Sequence, residues 1–351
     1  ISMLEDLCGI PVVGVIPYMD VDIEDEDSLS SRLETGKGKA PAAVDLAVIR
    51  FPRISNFTDF NVFSGIPGVS LRYVTRACDL GTPDMVILPG TKNTIHDLLW
   101  MRQNGLEAAI LKLADRQVPV WGICGGYQMM GEVLVDKKGV ESDLPSRTSG
   151  MGLLPLKTEF EEEKIRTQVE GAFGQLDGCL GGLSGKSIEG YEIHMGRTYI
   201  DREEGAADTA RIVSWRREPE ICRPMDYVME TGKDRLLSRK ARMDGWNRGN
   251  IYGTYVHGIF DSPGIARTVA EALAAAKGLC LEQAADMDYR TYRQQQYDKL
   301  AEELRENLDM AAVYRIMGIS QKGKMGISQK GKGEEKPDDG YTVGTGTAGR
   351  H

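Results

Sequence analysis

Short apolar runs alternate with longer amphipathic stretches from residue 44 onward. Val44–Arg50, Ser70–Val74, Met85–Leu88 and Val118–Trp121 are rich in Val, Ile, Leu and Met and too short for helices, so they predict buried strands. Between them the pattern predicts a helix near Phe57–Phe63, one from Thr94 to about Gln103 that stops at Gly105, and one over about 106–115. Thr94-Ile95-His96-Asp97 matches a capping box. Another helix follows Gly126. Strands alternating with helices at this spacing predict an α/β fold, with a mostly parallel central sheet and helices on both faces. Ligands in such sheets bind beyond the carboxyl ends of the strands, so the loops at 89–93 and 122–126 should converge on one crevice.

The pattern changes over residues 150–260, where shorter strands and more turns predict a small antiparallel extension. Gly190–Thr198 and Ile251–His257 are its clearest strands. Ser262-Pro263 reads as a cap followed by proline in the first helical turn, opening a helix that runs to about Lys277 and ends at Gly278. A helical segment covers roughly Asp288 to Met317.

The two ends read differently. Residues 1–18 predict a short helix or loop and one buried strand across Ile10–Pro17. An acidic stretch (Asp20, Asp22, Glu24, Asp25, Glu26, Asp27) reads as a solvated loop, and 28–43 as a linker. Because the chain opens on Ile1 inside such a run, an amino-terminal truncation is expected. At the other end MGISQKGK at 317–324 recurs letter for letter at 325–332, followed by polar, Gly-rich sequence. Two copies are too few for a solenoid, and residues 318–351 are expected to be disordered and without chemistry. The expected organisation is thus 1–43, a domain over 44–317, and a tail over 318–351.

Composition narrows the chemistry. The chain has 351 residues, 41% of them hydrophobic, and a net charge of -9, which disfavours nucleic acid or an anionic membrane surface as a partner. No apolar run is long enough to span a bilayer, and no secretory signal is visible. Six scattered cysteines give neither a zinc spacing nor a disulfide framework, and the four histidines are too separated for an evident metal cage. A reducing cytoplasm, which preserves a reactive thiol, is the expected location.

One stretch carries chemistry on its own. Pro119-Val120-Trp121 runs into Gly122-Ile123-Cys124-Gly125-Gly126 and then a helix, the cysteine version of a strand–nucleophile–helix elbow. The tight turn leaves room only for small neighbours, hence the three glycines. The helix amino terminus favours a thiolate at Cys124, and the Gly125 amide can point into an oxyanion hole. A thiolate needs a proton partner, and His257 stands at the end of a predicted strand before Gly258. The second oxyanion donor is expected from Leu88-Pro89-Gly90-Thr91, where Gly90 permits close backbone approach. Glu192 and His194 alternate on one strand face and either border the site or simply form a polar face. His96 reads as a surface helix residue.

At these residues the chain resembles the cobyric acid synthases, glutamine-dependent amidases of cobalamin biosynthesis. The motifs are LPGTKNT (Leu88–Thr94) with Asp97-Leu98, GICGGYQMMG (Gly122–Gly131), GYEIHMGRT (Gly190–Thr198) and GTYVHGIFD (Gly253–Asp261). The opening GVIPYMDVDIEDEDSL resembles the end of their ATP-binding synthetase domain, and the resemblance covers about residues 9–310. It implies a class I glutamine amidotransferase-like fold and hydrolysis of glutamine at Cys124 through a thioester. It implies that Gln128 and Thr91 contact the bound glutamine. It also implies that a synthetase domain uses ATP and magnesium to activate carboxylates of adenosylcobyrinic acid a,c-diamide, the corrinoid substrate, for amidation by the released ammonia. No Gly-x-x-x-x-Gly-Lys-Ser/Thr loop occurs here, so no cofactor or metal is expected on this chain itself. The wider amidotransferase class carries a Glu two residues after its histidine; this chain has Ile259, which leaves the partner of His257 open between Asp261 and Glu192. Alternatives are an amidotransferase of the cobyrinic acid a,c-diamide or cell-wall precursor type, a non-catalytic regulatory subunit, and a general cysteine hydrolase.

Overall fold

Five parallel strands form the part of the molecule that positions the site. In this computed structural model, which describes residues 1–19, 21, 42–142, 146–200, 223–231, 242–281 and 289–318, β1 (Val44–Ile49) pairs on one side with β2 (Val69–Val74) and on the other with β3 (Met85–Leu88). β4 (Val120–Ile123) lies against β3, and β11 (Ile251–Thr254) against β4, all parallel. β3, β4 and β11 are buried along their whole lengths. That is why they read as continuous apolar runs rather than alternating ones. Trp121 fills the centre, stacked on Tyr252 at 5.5 Å between ring centroids and packed against Phe260 at 4.9 Å.

The sheet continues past β11 through β10 (Arg242–Arg248), β9 (Arg223–Thr231), β7 (Leu156–Phe173), β5 (Val133–Asp136) and β6 (Ser146–Ser149), with β8 (Ser187–Ile200) paired to β7. An extension is therefore present and larger than the small one expected, holding six of the eleven described strands, but of its two expected strands only Gly190–Thr198 belongs to it, in β8; Ile251–Thr254 joins the parallel part as β11. The extension is antiparallel except where β5 runs parallel to β7. Its longest strand, β7, was hidden because Glu, Lys and Arg crowd both faces of Glu159–Gln168.

The helices that accompany the sheet are α2 (Asn61–Ser64), α3 (Ala77–Leu80), α4 (Thr94–Gln103), α5 (Leu106–Asp115), α6 (Gly125–Met129) and α7 (Ile265–Ala276). Two caps differ from expectation. Asn93 caps α4, its side chain accepting from the His96 amide at 2.9 Å; the helix starts one residue earlier than a Thr94 cap requires, because the Thr94 and Asp97 side chains are drawn into bonds with Gln128 and Thr91. α7 begins after Gly264 rather than at Ser262. The Ser262 hydroxyl instead accepts from the Glu189 amide and holds β8 in place.

Among the described residues, 1–19 and 299–318 form a compact unit distinct from the rest. Its described parts are α1 (Ser2–Cys8), the end of α8 (Tyr289–Asn307) and α9 (Met310–Ile316). The expected buried strand at Ile10–Pro17 is not formed. Gly14 makes an isolated bridge to Leu308, and Ile10, Val15 and Ile16 are exposed. Residues 299–317, expected with the sheet domain, cluster with this unit. The acidic residues Asp20 and 22–27, most of the linker, the tail beyond 318, Cys222 and His351 lie outside the described residues. No helix among the described residues is long and apolar enough to cross a membrane.

Candidate active site

Four loops leave the carboxyl ends of β1, β3, β4 and β11 and meet over the sheet, as the strand-end rule requires. The sharpest is the elbow after β4. Cys124 has φ 51° and ψ -111°, a conformation a non-glycine residue adopts only when its surroundings hold it there. Its amide donates to the Thr254 carbonyl at 2.9 Å, and the next turn closes from Gln128 N–H to the Cys124 carbonyl. Cys124 is buried, and its sulfur lies 3.5 Å from the Ile193 carbonyl on β8.

The loop after β3 packs directly on this elbow. A Cβ on Gly125 would stand 2.7 Å from Thr91 Cγ2 and 3.2 Å from the Thr91 amide, while Gly126 N–H donates to the Pro89 carbonyl at 3.1 Å. Gly90 lies against His257, where a Cβ would meet Cε1 of the ring at 3.0 Å. Gly125 heads α6, where its amide has no carbonyl within the helix to receive it. The two glycines expected to border an oxyanion hole thus flank the sulfur and the imidazole respectively.

His257 is fully buried beyond the end of β11. Its backbone exchanges two hydrogen bonds with Tyr191 of β8, and the Tyr191 ring stacks on the imidazole at 5.3 Å and 18°. Nδ1 is 2.7 Å from Asp59 Oδ2, and Asp59 Oδ1 accepts from the Gly258 amide at 3.2 Å. Nε2 has no hydrogen-bond partner of good geometry, and the reactive group beside it is the Cys124 sulfur. Burial works against a charge on this ring. The charge of Asp59, the hydrogen bond to it and the adjoining Cys124 outweigh that and push the pKa up to about 10.

Asp59 is the site residue that sequence reasoning missed. It sits on the 3-10 turn Phe57–Phe60 after β1, buried between two buried phenylalanines. The available signals were the strand-end position and a lone acid in an apolar turn. Neither Asp261 nor Glu192 holds the imidazole. Asp261 pairs with Arg293 at 3.6 Å, and Glu192 faces His194 at 3.7 Å. His194 borders the site's interior side, its ring stacked on Tyr255 at 3.7 Å between centroids. His96 is exposed on α4, its Nδ1 on Asn93.

Gln128 and Thr91 lie at the site with their polar atoms turned to protein groups. Gln128 Oε1 accepts from the Thr94 hydroxyl at 2.9 Å, and Nε2 donates to the Met195 carbonyl at 2.9 Å and the Tyr255 hydroxyl at 3.1 Å. The Thr91 hydroxyl donates to Asp97 at 2.5 Å. Among the described residues no three His, Cys, Asp or Glu side chains gather so as to hold a metal ion.

A buried cysteine on a strained strand-to-helix turn, facing an imidazole anchored by a carboxylate, is the apparatus of a cysteine-dependent acyl transfer site. Residues 45–265 match the family described as CobB/CobQ-like glutamine amidotransferase domain. The chain is 46% identical over 319 residues to a cobyric acid synthase of Ruminiclostridium cellulolyticum, covering 90% of this chain and 57% of that protein. It is 44% identical over 322 residues to a cobyric acid synthase of Lachnoclostridium phytofermentans, covering 90% and 59% respectively. The chain belongs to the CobB/CobQ-like glutamine amidotransferase family, and it spans under three-fifths of the length of these curated relatives. Among solved structures it aligns with PurLQS from Thermotoga maritima at a TM-score of 0.42 and 16% identity, over 66% of this chain and 96% of that one.

Proposed function

We propose that this chain hydrolyses glutamine to glutamate and ammonia, as the glutaminase part of a cobalamin-pathway amidotransferase of the cobyric acid synthase type, working in the cytoplasm. The observation that carries the reading is the joint placement of the Cys124 sulfur, the His257 imidazole and the Gly125 amide at one strand-end crevice, roofed by β8.

The thiolate of Cys124 attacks the carboxamide carbon, and the carbonyl oxygen becomes an oxyanion held by the amides at Gly125 and the Gly90 loop. Imidazolium His257 gives its Nε2 proton to the nitrogen, the C–N bond breaks, and ammonia leaves a γ-glutamyl thioester on Cys124. Neutral His257 then takes a proton from water, whose oxygen attacks the thioester, releasing glutamate and restoring the thiolate. The elevated pKa of His257 keeps the ring charged at neutral pH, ready for the first proton transfer.

The ammonia would serve amidation of corrinoid carboxylates on adenosylcobyrinic acid a,c-diamide. In proteins of this type a synthetase domain activates those carboxylates with ATP and magnesium. The sequence carries no phosphate-binding Gly-x-x-x-x-Gly-Lys-Ser/Thr loop, and the nucleotide and magnesium are assigned in this reading to that synthetase domain. This chain's own residues bind glutamine and carry a proton through Nε2 of His257, given to the leaving nitrogen and regained from the attacking water.

The test is mass spectrometry of the chain after exposure to a diazoketone analogue of glutamine. A single adduct on Cys124, blocked by glutamine and absent from Cys124→Ala, is expected. An unlabelled Cys124 with other cysteines modified would overturn the reading and favour a non-catalytic role.

A further inference from the structure

We infer that Asp59 is the residue that positions the catalytic imidazole, supplied from a turn 198 positions upstream in place of the acid that the wider class carries two residues after its histidine; the inference rests on the glutaminase reading above. Asp59 grips two consecutive residues at once, with Oδ2 on His257 Nδ1 and Oδ1 on the Gly258 amide. A carboxylate fixed at both oxygens cannot swing away, so the ring is held at one angle. An acid on Nδ1 also fixes the tautomer, leaving Nε2 as the nitrogen that exchanges a proton with the nucleophile and substrate.

The turn that carries Asp59 is itself anchored. Phe57 and Phe60 are buried, Tyr73 donates its hydroxyl to the Phe57 carbonyl at 3.0 Å, and the Asp59 amide closes on the Asn56 carbonyl at 3.1 Å. Asn56 Nδ2 donates to the Tyr191 hydroxyl at 2.6 Å, and Tyr191 is the ring stacked on His257. The same turn therefore fixes the imidazole by its Nδ1 edge and, through Tyr191, by one face.

Position 259 cannot supply the acid. Ile259 is fully buried in the hydrophobic core beside Phe260, so a carboxylate there would enter the apolar interior. Of the described residues, the titratable groups packed against His257 are Asp59 from its turn, Cys124 from the elbow and Tyr191 from β8. Asp261 lies beyond Gly258 and is paired with Arg293.

The experiment uses the full 351-residue chain and its Asp59→Asn and Asp59→Glu variants. A diazoketone analogue of glutamine alkylates the thiolate as N2 leaves, and the carbon that gains a proton takes it from the imidazolium. The rate therefore falls at high pH, where the ring loses that proton. Asp59→Asn is expected to slow labelling of Cys124 by roughly 10²-fold or more, to leave half-saturation by the analogue within about threefold, and to move the alkaline limb down by about one pH unit or more. Asp59→Glu should recover part of the rate. Nitrogen-15 shifts of His257 in the unaltered protein give a second readout that does not depend on a variant folding, and a protonated Nδ1 is expected. An unprotonated Nδ1 at neutral pH, or Asp59→Asn labelling at the unaltered rate with an unmoved alkaline limb, overturns the role of Asp59 and leaves the glutaminase reading intact. Absence of Cys124 labelling in the unaltered chain overturns both.

Discussion

The carbonyl oxygen of Leu88 occupies the space that a Cβ on residue 126 would need. Gly126 is thus the point where α6 and the end of β3 touch backbone to backbone, and the Gly126 N–H to Pro89 bond draws them together. Gly126→Ala forces one of two backbones to move, which no side-chain rotation can relieve. The substitution is expected to cost roughly 3 kcal/mol or more, at the upper end of overpacking effects, and to abolish labelling of Cys124 because the elbow opens. Gly152→Ala provides the comparison. That residue has φ +68° with nothing within 4 Å of the added carbon, so only the cost of a left-handed backbone remains, about 1 kcal/mol. Urea unfolding of the two variants should separate them clearly.

Gln128 satisfies three protein groups, so its contribution to the site begins with the architecture around Cys124. Gln128→Leu strips the Thr94 and Tyr255 hydroxyls and the Met195 carbonyl of a partner in a buried setting. Each group so deprived costs roughly 1–3 kcal/mol, less whatever the neighbours recover. Two probes distinguish a structural part from direct contact with glutamine. If Gln128 acts through the elbow alone, alkylation of Cys124 by iodoacetamide and by the glutamine analogue slow together. If it also touches the substrate, half-saturation by the analogue rises as well.

Much of the parallel core was legible because its strands are buried on both faces, and such runs admit few other readings. The nucleophile was legible because three glycines around one cysteine reflect crowding that the structure bears out at Thr91 and Leu88. The partner of the imidazole was not, because Asp59 and His257 meet only after β1, β3, β4 and β11 align, and nothing near either residue reports the pairing. β7 was missed for a different reason. Its Glu159–Gln168 stretch is charged on alternate and adjacent positions alike, so no period of two survives, yet β8 pairs with it through its backbone, and β9 takes up the other edge from Gln168 onward. The run at Ile10–Pro17 shows the converse, an apolar stretch read as a strand that forms only an isolated bridge from Gly14 to Leu308.

Glu141 makes the stability of the fold depend on pH in a direction opposite to that of most carboxylates. Its side chain accepts from the Thr94 amide at the start of α4, and Asp136 holds the preceding loop through the amides of Val140, Glu141 and Ser142. Burial pushes the Glu141 carboxyl up to about 7; the bonds from Thr94 and Ile95 oppose that, and the nearby Asp136 and Asp97 reinforce it. The folded state therefore holds this proton more tightly than the unfolded chain. Its contribution is fully present below about pH 4.5 and is lost as pH rises through about 7. Glutamine at 141 keeps an oxygen for the Thr94 amide and has no proton to lose. Glu141→Gln is thus expected to match the unaltered protein near pH 4.5 and to exceed it by on the order of 2 kcal/mol at pH 8, after allowance for partial exposure of the carboxyl. Urea unfolding of both proteins across that range measures the difference. A gap that stays constant with pH would show that Glu141 ionises in the folded protein as it does in the unfolded chain.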